Sequence, residues 1–424
     1  MKRTGFIILL GAFVVLFYSG TPQAFHSGGV AECGGCHSMH SPAPTGSRLL
    51  INSDQSSTCL SCHLHPGDTG PSSYHVATAD ADMPSGKAPL QRTPGGDFGW
   101  LKKTYDYIPR ANATPVHEPG DRHGHNIVAG DFGYLADATN TTAPGGTFPA
   151  AQLACNSCHD PHGSFRRRSD NTIGTSGGAI IASGSYKTST TPGYSDPPAA
   201  GTALGVYRLL AGLGYSKGGV TYTGVPAAKA PNTYNQKEDG NQVRVAYGVA
   251  TTGGHATWGQ WCATCHPNMH SQGNYVHPVD QALGSAIINN YNAYVKSGDM
   301  TGVASASFTS LVPFANNTGN YTTLAGAANN GSPTAAGPSD GDQVTCLSCH
   351  RAHASGFPDM LRFNIEGEFM IYNGQYPGTD TTPTAPQFAQ GRLGAETQAA
   401  YYDRPVTTFA TYQRVLCNKC HAKD

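Results

Sequence analysis

The sequence predicts a fold of loops and turns with short helices and little sheet, whose core comes from bound groups and not from packed side chains. Three observations predict it. The 424 residues include 53 Gly and 29 Pro, about a fifth of the chain where an average protein has about 12%. Only 12% of the residues are charged and 38% are apolar. One short cysteine–histidine pattern recurs six times. Gly and Pro at this density interrupt helices and strands, which excludes a helix bundle and a doubly wound α/β sheet.

The N-terminus comes first. Lys2 and Arg3 precede a thirteen-residue apolar run, Phe6 to Tyr18. That is short for a bilayer span and has the form of a signal peptide. Residues 1–24 are therefore expected to be removed, with cleavage after Ala24, an uncleaved anchor being the alternative. Residues 25–424 are expected to form one unit without separable domains. Loss of Lys2 and Arg3 takes the formal charge from −1 to −3. No basic block is present, which argues against a nucleic-acid partner.

All 12 cysteines fall in the pattern Cys-x-x-Cys-His. The copies are Cys33-Cys36-His37, Cys59-Cys62-His63, Cys155-Cys158-His159, Cys262-Cys265-His266, Cys346-Cys349-His350 and Cys417-Cys420-His421. The pattern is that of c-type haem attachment. Two thiols one helical turn apart can form thioethers with the two vinyl groups of one porphyrin, and the next residue, His, stands under the iron. A zinc knuckle, a redox pair or a disulfide framework explains the cysteines but not a His after every second one. Six haem c groups are thus expected. They are attached outside the cytoplasmic membrane, in agreement with the signal peptide. Their twelve propionates would make the loaded protein acidic.

Between the motifs the sequence gives little. The first two lie close together, and long Gly-, Pro-, Thr- and Asn-rich segments join the rest. No internal repeat is evident beyond the motif. The best amphipathic helix runs from Gln281 to Lys296. Loops this long normally count against a compact domain; here haems and iron–histidine bonds would tie them together, linking stability to cofactor occupancy.

The second axial ligand separates electron transfer from catalysis, because a haem enzyme needs an open position on iron. Six proximal His leave twelve others: His26, His40, His65, His75, His117, His123, His125, His162, His255, His270, His277 and His353. Every iron can therefore be bis-His. Met39 and Met269 are less favoured as ligands, Met being scarce. His40, His65, His162, His270 and His353 closely follow a motif. Side chains three apart on a helical turn point the same way, so such a His reaches a neighbouring haem and not its own. Repeated along the chain, this gives a row of closely spaced haems. A non-enzymatic electron conduit is expected. A monomeric periplasmic or outer-surface shuttle and a multihaem reductase are the alternatives.

Longer words of the sequence carry a resemblance. They are FHSGGVAEC (Phe25 to Cys33) with CHSMH (Cys36 to His40), CLSCHLHPGDTGPSSYH (Cys59 to His75), TPGGDFGW (Thr93 to Trp100) and GHNIVAGD (Gly124 to Asp131). CHDPHG (Cys158 to Gly163), CLSCHRAHASGF (Cys346 to Phe357) and CNKCHAKD (Cys417 to Asp424) complete the set. Over the whole mature length the chain resembles the outer-surface hexahaem cytochromes of metal-reducing bacteria, the extracellular cytochrome nanowire family. The resemblance implies six bis-His haems, little regular structure and polymerisation into filaments that pass electrons to external acceptors such as metal oxides. It implies that His40 crosses to the haem on Cys346 and Cys349 of the next subunit. It also implies axial roles for His65, His75, His125, His162, His270, His277 and His353, and none for His117, His123 or His255. The stretch between His40 and Cys59 is shorter than the family pattern.

Overall fold

The computed structural model describes residues 33–40, 43, 49–64, 75–110, 113–162, 209–212, 214–224, 226–229, 238, 242–249, 257–271, 277–328, 332 and 334–421. The signal segment, His26, His65 and His255 lie outside these residues, as do the side chains of Cys33 and His270.

Among the described residues the longest helices have nine residues: α2 (Gln55–His63) and α6 (Ser285–Ala293). The others are α1 (Cys33–Cys36), α3 (Cys155–Cys158), α4 (Trp258–Ala263), α5 (Pro267–Ser271), α7 (Tyr321–Ala327), α8 (Cys346–Cys349), α9 (Pro386–Ala389) and α10 (Gly394–Ala400). The helix expected over 281–296 is thus trimmed at both ends, to Ser285–Ala293, and Gly284 and Tyr294 take extended conformations at its caps. Among the described residues sheet is confined to four two-stranded antiparallel ribbons. They pair β1 (Tyr105–Tyr107) with β2 (Val116–Glu118), β3 (Ser216–Lys217) with β4 (Val220–Thr221), β5 (Ala228–Lys229) with β6 (Ala246–Tyr247), and β7 (Phe369–Ile371) with β8 (Gln413–Arg414). No described helix is long and apolar enough to cross a membrane.

The first, third and fifth motifs are single helical turns and the second closes the nine-residue α2, and side chains set the start of α2, α3 and α8. The Asp54 carboxylate accepts from the Ser57 N–H (2.7 Å) ahead of α2. The Thr345 hydroxyl accepts from the Leu347 N–H (3.1 Å) ahead of α8. The Ser157 and Ser348 hydroxyls accept from the N–H groups of Ala154 and Thr345 (3.0 and 3.1 Å). Such caps satisfy donors that a one-turn helix leaves unpaired.

The structure also contains a repeat that the sequence hides. After the first, third and fifth motifs the proximal His forms an isolated β-bridge to a leucine: His37 to Leu50, His159 to Leu210, His350 to Leu361. In each, the carbonyl of the second motif cysteine accepts from the residue after that leucine: Ile51 to Cys36 (3.1 Å), Ala211 to Cys158 (2.8 Å), Arg362 to Cys349 (2.8 Å). The residue before the leucine has positive φ in all three (Leu49 60°, Leu209 52°, Met360 58°). The clamping leucines stand 13, 51 and 11 residues from their histidines, so no fixed sequence period reveals the unit.

Among the described residues three apolar clusters supplement the motifs. The largest joins Trp100 and Tyr105 to Tyr291, Phe308, Phe314, Phe357, Tyr376, Tyr401 and other residues of the C-terminal half.

Candidate haem sites and their axial histidines

The motifs follow one another in space in their sequence order. The Cys59 and Cys155 thiols are hydrogen-bonded to each other, which together with burial pushes Cys59 well above the usual thiol range; the charge of Cys36 also reaches Cys59. Cys262 and Cys346 are joined in the same way. Cys158 and Cys265 both meet the phenol of Tyr222. Cys349 lies within electrostatic reach of Cys417 and Cys420. These contacts involve free thiols; in a loaded c-type cytochrome the same sulfurs are thioethers. Most of the motif cysteines are only half-buried.

Four pairs of imidazoles face each other at nearly one distance. The ring centroids of His37 and His162 are 6.3 Å apart and nearly parallel (16°). His125 and His266 are 6.1 Å apart, His159 and His353 6.4 Å, and His277 and His421 6.2 Å. With a metal–imidazole bond of about 2 Å and a ring nitrogen about 1 Å from its ring centre, two imidazoles on opposite faces of one metal ion stand about 6 Å apart. The four pairs therefore fit a bis-His metal site, each made of one motif histidine and one distant histidine.

Ring protonation fits as well. The Nδ1 atoms of His125, His266 and His350 lie 2.8, 2.8 and 2.7 Å from the carbonyl oxygens of Ala352, Pro144 and Asp359. A carbonyl only accepts, so Nδ1 carries the proton and Nε2 is left with a lone pair, as in many metal-ligating histidines. Burial, and then the facing His266, lower His125 to about 4, so its ring is neutral at pH 7.

Two of the longer sequence words build this geometry. In Thr93–Trp100, Gly96 has φ 97° and a Cβ there would lie 1.8 Å from the Ala354 oxygen. Only Gly allows the approach that lets the His353 N–H donate to the Gly95 oxygen (2.7 Å). Phe98 stacks on the His353 ring at 4.7 Å and 23°. The buried Asp97 carboxylate fixes the loop by accepting from the N–H groups of Thr78, Gln91 and Gly99 (3.0, 3.0 and 2.7 Å). In Gly124–Asp131, Gly124 bridges Ala354, and the His125 N–H donates to the His353 oxygen (2.9 Å). His125 and His353 are thus held back to back.

The remaining histidines divide clearly. His117 is exposed and pairs with Asp106 across β1–β2 (2.7 Å). His123 is fully buried, its Nε2 2.6 Å from Glu118 and its Nδ1 2.9 Å from the Trp100 oxygen; its role is structural. His75 is buried beside the second motif, where the Val76 N–H donates to the His63 oxygen (2.8 Å). His40 is exposed, and among the described residues no imidazole faces His40 or His350. These two facing imidazoles do not come from the motif next in sequence: His162 of the third motif faces the first, and His353 of the fifth faces the third.

Sequence reasoning missed Tyr222. It is 1% exposed, its hydroxyl donates to the Ser157 oxygen (2.9 Å) and lies 4.0 Å from the Cys158 sulfur, and its ring packs on Trp261 at 5.2 Å. It joins the third motif to the fourth. Nothing distinguishes it in sequence from twenty other tyrosines. The backbone carbonyls that orient the rings were equally invisible to residue type.

Comparison with known proteins agrees with this geometry. No family model matches. The C-type cytochrome OmcS of Geobacter sulfurreducens is 49% identical over 442 aligned residues, covering 98% of both chains. Two solved filament structures from the same organism, one a cryo-EM structure of OmcS nanowires and the other an outer-membrane cytochrome S filament, match at 48% identity with a TM-score of 0.79. Each match covers 94% of this chain and all of the solved one. Six complete attachment motifs, facing imidazoles and near-half identity over the full length place this chain in the OmcS family of c-type cytochromes.

Proposed function

We propose that residues 25–424, once residues 1–24 are removed, form one hexahaem unit that polymerises outside the cell and relays single electrons along the filament to external acceptors such as metal oxides. Bound haem would supply one-electron redox chemistry; the chain sets spacing, ligation and exposure.

The observation that carries this reading is the regular offset of the facing histidines. The first, third and fifth motifs share Cys-x-x-Cys-His-x-x-His and the same leucine clamp. The last His of the third motif faces the first motif, and that of the fifth faces the third. Continuing the series, the fifth motif needs the last His of a seventh. The sequence holds six motifs, and a neighbouring copy offers its own first motif, whose His40 is exposed. His40 of one subunit would then meet His350 of its neighbour. The offset supports intermolecular ligation without reference to any relative.

In this scheme His162, His353, His125 and His277 are distal ligands for the first, third, fourth and sixth haems. The second haem draws its distal ligand from His65, His75 or His270. With every iron held by two histidines, the protein is an electron carrier and not an enzyme. Electron micrographs of the purified holoprotein test the reading. Filaments are expected for the natural chain, and only isolated particles with six haems each for His40→Ala. Filaments of undiminished length from His40→Ala would sink the assignment, and isolated particles from the natural chain under all conditions would favour a monomeric shuttle.

A further inference from the structure

Only the last of the six attachment motifs carries a charged side chain between its cysteines: Cys417-Asn418-Lys419-Cys420-His421. The other intervening pairs are Gly34-Gly35, Leu60-Ser61, Asn156-Ser157, Ala263-Thr264 and Leu347-Ser348. Lysine is seldom buried, because its charge is costly to take out of water. Yet Lys419 is 5% exposed.

Its surroundings hold the cation without neutralising it. Nζ donates to the carbonyl oxygens of Tyr291 (3.1 Å) and Tyr294 (2.9 Å). These lie at the C-terminal end of α6, where the helix dipole is negative. Nζ also stands over the Tyr291 ring at 4.3 Å and the Tyr294 ring at 5.7 Å, faces that attract cations. No carboxylate among the described residues pairs with it. By contrast, Arg351 and Arg362, beside the fifth motif, share the Glu238 carboxylate at 3.0 and 3.7 Å.

We propose that Lys419 is a potential-setting residue: its ammonium charge, fixed inside the sixth attachment loop, raises the reduction potential of the haem bound there and makes that end of the subunit the easier one to reduce. The inference rests on the six-haem reading above. A site that gains an electron is favoured by a fixed positive charge nearby, and a buried charge is screened much less than a surface one. The carbonyls and ring faces that orient the ammonium are neutral groups and bring no opposing unit charge. Propionates accompany all six haems and do not single out the sixth.

The test uses holoprotein of the natural chain and of Lys419→Gln, Lys419→Met and Lys419→Arg. Haems per chain are counted first by pyridine haemochrome. A count other than six in the natural chain refutes the six-haem reading independently of Lys419. Spectroelectrochemical titration at one fixed pH follows. A component carrying about one sixth of the haem absorbance should move to lower potential in the Gln and Met variants and stay in place in the Arg variant. If Met fails to load haem, Gln against Arg makes the same comparison. If Lys419 only caps α6, the Gln variant loses stability while every titration component stays where it was. That result, or an equal shift in the Arg variant, overturns the proposal.

Discussion

A single subunit released from the filament should bind carbon monoxide at one of its six haems. The perturbation is His40→Ala, which removes the histidine that would close the fifth site of the next copy. The magnitude follows from the ring geometry. Four motif histidines already face an imidazole of their own chain at 6.1 to 6.4 Å. His350 faces none among the described residues, although its Nδ1–H is already committed to the Asp359 oxygen at 2.7 Å. One iron in six would lack a sixth ligand, so the reduced variant should take up one CO per chain. About one sixth of the haem should be high-spin, with all twelve cysteines still in thioethers. In filaments of the natural chain the same site would be closed at every junction, so CO uptake per chain should fall in inverse proportion to filament length. The assay is a CO titration of dithionite-reduced protein, read as a difference spectrum against total haem, on size-fractionated samples. Monomeric His40→Ala protein that binds no CO would refute the reasoning, because a histidine of the same chain would then have to close the fifth site. Long filaments that bind one CO per chain would refute it equally.

Three further outcomes are expected. Gly96→Ala would place a Cβ 1.8 Å from the Ala354 oxygen on a backbone with φ 97°; it should displace His353 and turn one haem high-spin without lowering the haem count, as read by electron paramagnetic resonance. Tyr222→Phe keeps the ring but loses the bond to the Ser157 oxygen and should cost about 1 kcal/mol. Tyr222→Ala should cost about 3–5 kcal/mol and weaken the excitonic circular dichroism between the third and fourth haems, both costs being read from denaturant midpoints. Arg392→Leu removes one of the two partners of the buried Glu118 carboxylate, leaving His123 alone with it, and removes the donors to the Gly356 oxygen (3.0 and 2.7 Å). A loss of about 3–5 kcal/mol is expected, with the low-spin spectrum of the remaining folded protein unchanged.

What the sequence made legible is the chemistry carried by residue type. The six motifs, the histidine surplus and the scarcity of regular structure can all be read from the letters, and so can the expectation that His162 and His353 turn to motifs other than their own, which the ring pairs match. The partners of His125, His162, His277 and His353 could not be read, because pairing depends on which loops return to which motif across more than a hundred residues. The clamp behind the first, third and fifth motifs was hidden for a related reason. Its leucines are recruited at unequal distances, and the shared feature is a backbone turn with positive φ at Leu49, Leu209 and Met360. Neither bulky residue type announces such a turn. His117 and His123 show the converse: the same residue type, one on an exposed ribbon and one fully buried, separated only by surroundings.

The long reach between facing histidines has a consequence for the order of events in the life of the chain. Thioether attachment needs only five consecutive residues and can proceed on an extended polypeptide as it emerges. In the ligation scheme proposed above, closing the first site would need His162, 125 residues beyond His37, and closing the third would need His353, 194 residues beyond His159, so neither could finish until a long further stretch of chain has arrived. The first and third haems would then be captured early and ligated late, whereas His125 and His277 precede the motifs they face. The interval is a period of slow, long-range search, during which half-ligated irons stay open to wrong histidines. A maturing subunit should be most vulnerable then, and under the proposed scheme the last site to close would be the one that waits for another molecule.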